Sequence, residues 1–151
     1  MSLFLFVLLF FVQPSASADC VCIKDPHRSL EQIQADRKQQ YEKATAVFAG
    51  KVIANDGFTV TFKLMKRWKG SNEGQISLST GAVRGVDGTP LPEECRPQFR
   101  LGEEYLVYAY GPGDKMKAVS CTTFALKDAA EEEKGLDEIK PHETIGRGGA
   151  L

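Results

Sequence analysis

The 151-residue chain is short of net charge, histidine and cysteine. Its 19 Lys and Arg against 20 Asp and Glu leave a formal charge of −1. That balance argues against nucleic acid or an anionic membrane as the main partner. The two histidines, His27 and His142, stand far apart and read as isolated surface residues. No Ser/His/Asp set carries a local signature, and no glycine loop is built for phosphate. The adjacent Glu93 and Glu94 could act as acid and base, with no pocket signal beside them. The chain is therefore read as a non-enzyme without a cofactor. Beyond residue 12 no apolar run is long enough to cross a bilayer.

What is present begins with residues 1–18, which read as a signal peptide. Residues 3–12 are continuously apolar but too short for a membrane span, and Ala16-Ser17-Ala18 is a small-x-small cleavage site. The n-region carries no Lys or Arg, only the amino group of Met1. The product is expected to be exported, monomeric and free of the membrane once the leader is removed. Its cysteines then meet an oxidising compartment. The remaining chain is long enough for one domain with a modest core.

The organisation after the leader is mostly β. Ser29 followed by Gln32 is a capping box for a helix over residues 30–43, polar enough to face solvent. Residues 46–54 have strand character and end at Asn55-Asp56-Gly57, a hairpin signal. Residues 58–68 alternate most clearly, with Phe58, Val60, Phe62 and Leu64 on one face. Further strands are expected at 75–80, 105–110 and 116–123. Residues 81–102, rich in Gly and Pro, read as one long pinned loop. Residues 128–139 read as a helix whose Glu131-Glu132-Glu133 run is a solvated face, and residues 141–151 as a flexible tail. Five short strands, each offering one apolar face, suggest a small closed barrel with flanking helices. Trp68, Tyr105, Tyr108 and Tyr110 could form a stacking platform for bases or sugars, but read more simply as core and rim.

Four cysteines remain, and two of them form Cys20-Val21-Cys22 directly behind the leader. The others are Cys95 and Cys121. A Cys20–Cys22 ring would be strained. A four-thiolate zinc site lacks its usual paired knuckles, and a redox-active pair would need the same strained ring. Two long-range pairings stay open: Cys20–Cys95 with Cys22–Cys121, or the crossed set. Either closes loops of about 75 to 100 residues, on the order of 4–5 kcal/mol each in the chain-entropy treatment.

These residues resemble a known family. Cys20-Val21-Cys22 after a leader, the run FTVTFKLMKRWKG at 58–70, and Cys121 closing a strand are similar to the N-terminal domain of tissue inhibitors of metalloproteinases. The segments AVFAGKV at 46–52 and LGEEYLV at 101–107 are similar as well. That domain is a netrin-like module, a five-stranded OB-fold barrel, and the resemblance spans most of residues 20–139. It implies a netrin-like domain over 19–140 and the pairings Cys20–Cys95 and Cys22–Cys121. It also implies inhibition of a zinc metalloendopeptidase. The α-amine and carbonyl of Cys20 would chelate the target's zinc, Val21 would enter the specificity pocket, and Glu93, Glu94 and Cys95 would line the same ridge. The chelation requires Cys20 to be the terminus, whereas cleavage after Ala18 leaves Asp19 in front of it. The animal inhibitors' third disulfide and second domain have no counterpart here. The alternative is a secreted netrin-like binding module with a protein or matrix ligand and no protease target.

Overall fold

The computed structural model describes residue 22, residues 25–93 and residues 95–145. Residues 1–18, Asp19, Cys20, Val21, Ile23, Lys24, Glu94 and the tail from 146 onward lie outside the described residues.

Helix α1 (Leu30–Lys43) starts where the capping box places it. The Gln32 amide donates to Ser29 Oγ at 3.2 Å, and the Ser29 amide donates to Gln32 Oε1 at 2.9 Å. Strands β1 (Ala46–Asn55) and β2 (Thr59–Lys69) form an antiparallel hairpin. Asp56 shapes its turn by accepting from the amides of Phe58 and Thr59 at 2.8 and 2.7 Å. Gly57 takes φ +87° there, and a Cβ would collide with the Pro90 ring. Then come β3 (Gln75–Ser79), β4 (Val83–Arg84), β5 (Pro90–Leu91), β6 (Glu104–Tyr110), β7 (Lys117–Ala125), helix α2 (Ala130–Ile139) and β8 (Glu143–Thr144).

Five strands form a ring in the order β1-β6-β7-β3-β2, closed by the β1–β2 pairing. Four of its seams are antiparallel, and the fifth, between β3 and β7, is a single parallel bridge at Ser79 and Lys117. β8 continues the outer edge of β2 through Lys66–Thr144 and Arg67–Glu143. The protein is thus mainly β, with a strand ring and two flanking helices.

The sequence suggests one apolar face per strand, and β1 and β6 depart from this. Residues 46–50 and 105–109 are buried on both faces. Inside the ring lie Phe48, Val52, Val60, Phe62, Leu64, Leu78, Phe99 and Val107. Phe62 makes edge-to-face contacts with Phe48 at 5.3 Å and Phe99 at 5.0 Å between ring centroids, favourable aromatic geometry. On the outer face a second cluster joins Val47, Ala49, Trp68, Leu106 and Tyr108 to Ala129 and Leu136 of the α2 region. The continuous apolar runs AVFAG and YLVYA are what two buried faces require. Register shifts along β1–β2 let β2 change phase, so that Val60, Phe62 and Leu64 point inward but Trp68 points to the helix side.

Three local expectations are corrected. Residues 81–102 are not without regular structure: β4 and β5 pair antiparallel, Val83 with Leu91 and Arg84 with Pro90. The Glu131-Glu132-Glu133 run is only partly a solvated face. Glu132 pairs with Arg37 at 3.0 Å and accepts from the Tyr108 hydroxyl, and Glu133 pairs with Lys66 at 2.8 Å. These bonds orient α2 on the ring. His142 is not isolated either. Its Nδ1 lies 2.8 Å from Asp137 Oδ1, and its ring packs on Trp68 at 5.5 Å. Trp68 donates its Nε1–H to the same Asp137 oxygen at 2.7 Å. Burial opposes ionisation of Asp137, but the hydrogen bonds from His142 and Trp68 outweigh it and hold its pKa below the ordinary value. With Trp68 1 % exposed and Tyr108 equally buried, the aromatics form no stacking platform.

None of the residues of α1 is fully buried; Tyr41 packs on the outer cluster, and polar contacts supply much of the rest of the attachment. Gln34 donates to the Gly135 carbonyl at 3.1 Å, Tyr41 to the Trp68 carbonyl at 3.0 Å, and Tyr110 to Gln40 at 2.9 Å. The Arg37 guanidinium lies flat against Gly135, where any Cβ would overlap it.

Candidate functional site

The Cys95 loop is built onto β7. Cys95 takes φ +61°, the one described non-glycine residue in the left-handed region. Its carbonyl accepts from the Ser120 amide at 3.3 Å and from Ser120 Oγ at 3.1 Å. Arg96 donates through Nη1 to the Ala118 carbonyl at 3.0 Å and through Nε to Glu93 at 2.8 Å. Lys117 stands 3.8 Å from the same Glu93 carboxylate. The Arg96 hydrogen bond and charge hold the Glu93 carboxyl below its ordinary pKa, with Lys117 adding to the effect. Gly81, at φ +77°, lies under this pair, where a side chain would displace Glu93 and Arg96.

β7 therefore holds the loop at Lys117, Ala118 and Ser120. Its next residue, Cys121, is disulfide-bonded to Cys22 across a sequence separation of 99, with Cα atoms 5.4 Å apart. This bond excludes the crossed pairing of Cys22 with Cys95. No described cysteine is free, while Cys20, and with it the expected Cys20–Cys95 bond, falls outside the described residues. The strand thus brings Cys22 and the Cys95 loop to neighbouring positions, although 73 residues separate them in sequence (95 − 22).

Of the expected ridge residues, Glu93 is placed and its carboxylate is engaged by Arg96 and Lys117. It shapes the loop rather than offering a free ligand. Cys20, Val21 and Glu94 lie outside the described residues. Beside the loop is a hollow of about 210 Å³ lined by Asn55, Thr80, Pro92, Glu93, Arg96 and Phe99. The β4–β5 hairpin next to it exposes Val83, Val86 and Leu91, with Val86 fully open at the tip. Sequence reasoning missed these three, because Gly and Pro around them hid a short apolar alternation. Among the described residues no group of three or more His, Cys, Asp or Glu side chains is placed to hold a metal. No helix among them is long and apolar enough to cross a membrane.

The protein-family models, curated proteins and solved structures compared with this chain give no match.

Proposed function

We propose that the protein is a secreted inhibitor of a zinc metalloendopeptidase, built on a netrin-like, OB-type ring. The observation that carries the reading is the convergence on β7: Cys121 bonded to Cys22, and Ser120 bonded to the carbonyl of Cys95. The strand order β1-β2-β3-β7-β6 around the ring supports the fold assignment. A chain that leaves Cys22 toward its amino end starts one position along β7 from the Cys95 loop. A Cys20–Cys95 bond would then add a second staple beside the first. Bonded so, the Cys20 amine and carbonyl would be pre-organised as a five-membered zinc chelate, which lowers the ordering cost of binding. Displacing the zinc-bound water removes the protease's nucleophile. Val21 would fill an apolar pocket, and Glu93, through Arg96 and Lys117, would keep the adjoining loop in shape.

A second reading, a netrin-like binding module without a protease target, is favoured by the expected leader cleavage and by one surface feature. Cleavage after Ala18 leaves Asp19 on the amine, and the exposed Val83, Val86 and Leu91 offer a contact that needs no zinc. Mass spectrometry of the secreted protein separates the two. A terminus at Cys20 together with inhibition in a zinc endopeptidase panel supports the inhibitor. A stable terminus at Asp19, or silence across the panel with Cys20 exposed, favours the binding module.

A further inference from the structure

At the opposite end of β1 from the Cys95 loop, roughly 30 Å away at the rise of an extended strand, the ring has an open seam. β3 and β7 are parallel and meet only where Ser79 pairs with Lys117. Alongside the earlier residues of β3, the chain preceding β7 is a 3₁₀ turn, Gly113–Lys115. A turn cannot continue a ladder, so among the described residues β3 keeps an unpaired edge. Its phase is fixed by the bonds at its two ends. The Leu64 amide donates to the Gly74 carbonyl at 2.9 Å, and the Thr80 amide to the Phe58 carbonyl at 2.9 Å. Even-numbered residues of β3 therefore turn their backbone groups toward β2, and odd-numbered ones turn away, as an antiparallel ladder requires. The Ser79 amide does so and donates to the Met116 carbonyl at 2.8 Å. The amides and carbonyls of Gln75 and Ser77 face the seam with no partner among the described residues.

The seam is a groove of about 620 Å³. Its floor is apolar, formed by Ala46, Leu64, Ile76 and Met116, all part of the ring core or packed against it. Two carboxylates, Glu73 and Asp114, stand on its rim. Among the described residues neither is in an ion pair and no cation lines the groove. We infer that this seam accepts an extended segment of a partner protein as an added strand along β3, with an apolar side chain on the floor and basic side chains at Glu73 and Asp114. Strand addition uses main-chain bonds for affinity and alternate side chains for specificity. The period of two puts one inward residue between two outward ones, so the recognised pattern is basic–apolar–basic. Such a site is independent of the Cys20 chelate and works whether or not the protease reading holds.

The test is NMR titration of the oxidised full protein with Ac-Thr-Lys-Val-Lys-Thr-NH2, against Ac-Thr-Glu-Val-Glu-Thr-NH2 and the fully N-methylated lysine peptide. The lysine peptide should shift the Gln75 and Ser77 amides saturably and slow their hydrogen exchange. Both controls should bind at least about tenfold more weakly. Ser77→Pro removes a seam-facing donor while sparing the β2 ladder, a position where an edge strand tolerates proline. It should lose about tenfold in affinity with the melting temperature nearly kept. Glu73→Gln with Asp114→Asn gives an independent variant and should erase the preference for lysine over glutamate. Equal binding of the N-methylated peptide overturns strand addition, and equal binding of the glutamate peptide overturns the charge match. The inference also fails if β3 shows no shifts at millimolar peptide. It fails as well if the Gln75 and Ser77 amides are already protected in the free protein and lose that protection on dilution or on removal of residues 146–151, since a second copy or the chain's own end then fills the groove.

Discussion

Gly135→Ala sets two effects of similar size against each other. Gly135 lies inside α2, where alanine is favoured by about 0.8–1 kcal/mol on helix propensity alone. On this ground the substitution stabilises. But the Arg37 guanidinium rests on Gly135, and an added Cβ would occupy the space of its Nη1, Cζ and Nε atoms. Arg37 must swing away, and it then loses Glu132 at 3.0 Å and the side chain of Gln34. Hydrogen bonds to charged groups are worth about 1.5–3 kcal/mol each when largely buried. The Arg37 and Glu132 side chains are 12 % and 20 % exposed, which places the loss toward the lower end. The net expectation is a destabilisation of about 1–2 kcal/mol. The decisive assay is a double-mutant cycle by urea denaturation. In an Arg37→Ala background no guanidinium remains to displace, so Gly135→Ala should stabilise by about 0.5–1 kcal/mol. A substitution that has the same sign in both backgrounds refutes the packing argument.

The other predictions concern the staple, the Trp68 anchor and acid stability. Cys22→Ser with Cys121→Ser removes a cross-link of sequence separation 99 and should cost about 4–5 kcal/mol in denaturant unfolding; a loss below about 1 kcal/mol would contradict a closed long loop in the native protein. Asp137→Ala leaves the buried Trp68 Nε1–H without its acceptor and should cost about 1–3 kcal/mol, read by the fluorescence of this single tryptophan during unfolding. Asp137 has a depressed pKa in the folded state, so its contribution is complete above its ordinary value of 3.8 and fades as pH falls through the folded value. The stability gap between wild type and Asp137→Ala should therefore narrow as the pH falls below about 4, and a gap that widens in acid would reverse the sign.

How much of this was legible in the sequence depends on the range of the forces involved. The α1 cap, the Asp56-Gly57 turn and the alternation of β2 are local, and the chain states them directly. The two-faced burial of β1 and β6 was written in AVFAG and YLVYA, whose unbroken apolar character exceeds what a one-sided strand needs. Long-range polar pairings left no local trace. Glu132 and Glu133 look like any solvated acidic run until Arg37, Tyr108 and Lys66 arrive from elsewhere in the chain. His142 looks isolated because its partners are Trp68, distant in sequence, and Asp137, one helical end away. At the candidate site, Cys22, Cys95 and Cys121 drew attention by type and position. The role of Glu93 needed the structure, since only there does its carboxylate meet Arg96 and Lys117.

Zinc ligation by the amine of Cys20 is tested by a single comparison. Protein beginning at Cys20 is titrated against a zinc endopeptidase before and after acetylation of its α-amine, with lysine acetylation controlled by a form that keeps the α-amine free. Inhibition is expected from the free-amine form and not from the α-acetylated form, since acetylation delocalises the nitrogen lone pair into an amide while leaving the β7-held loop and the Cys22–Cys121 bond intact. Equal inhibition by both forms, or none by either, would contradict it.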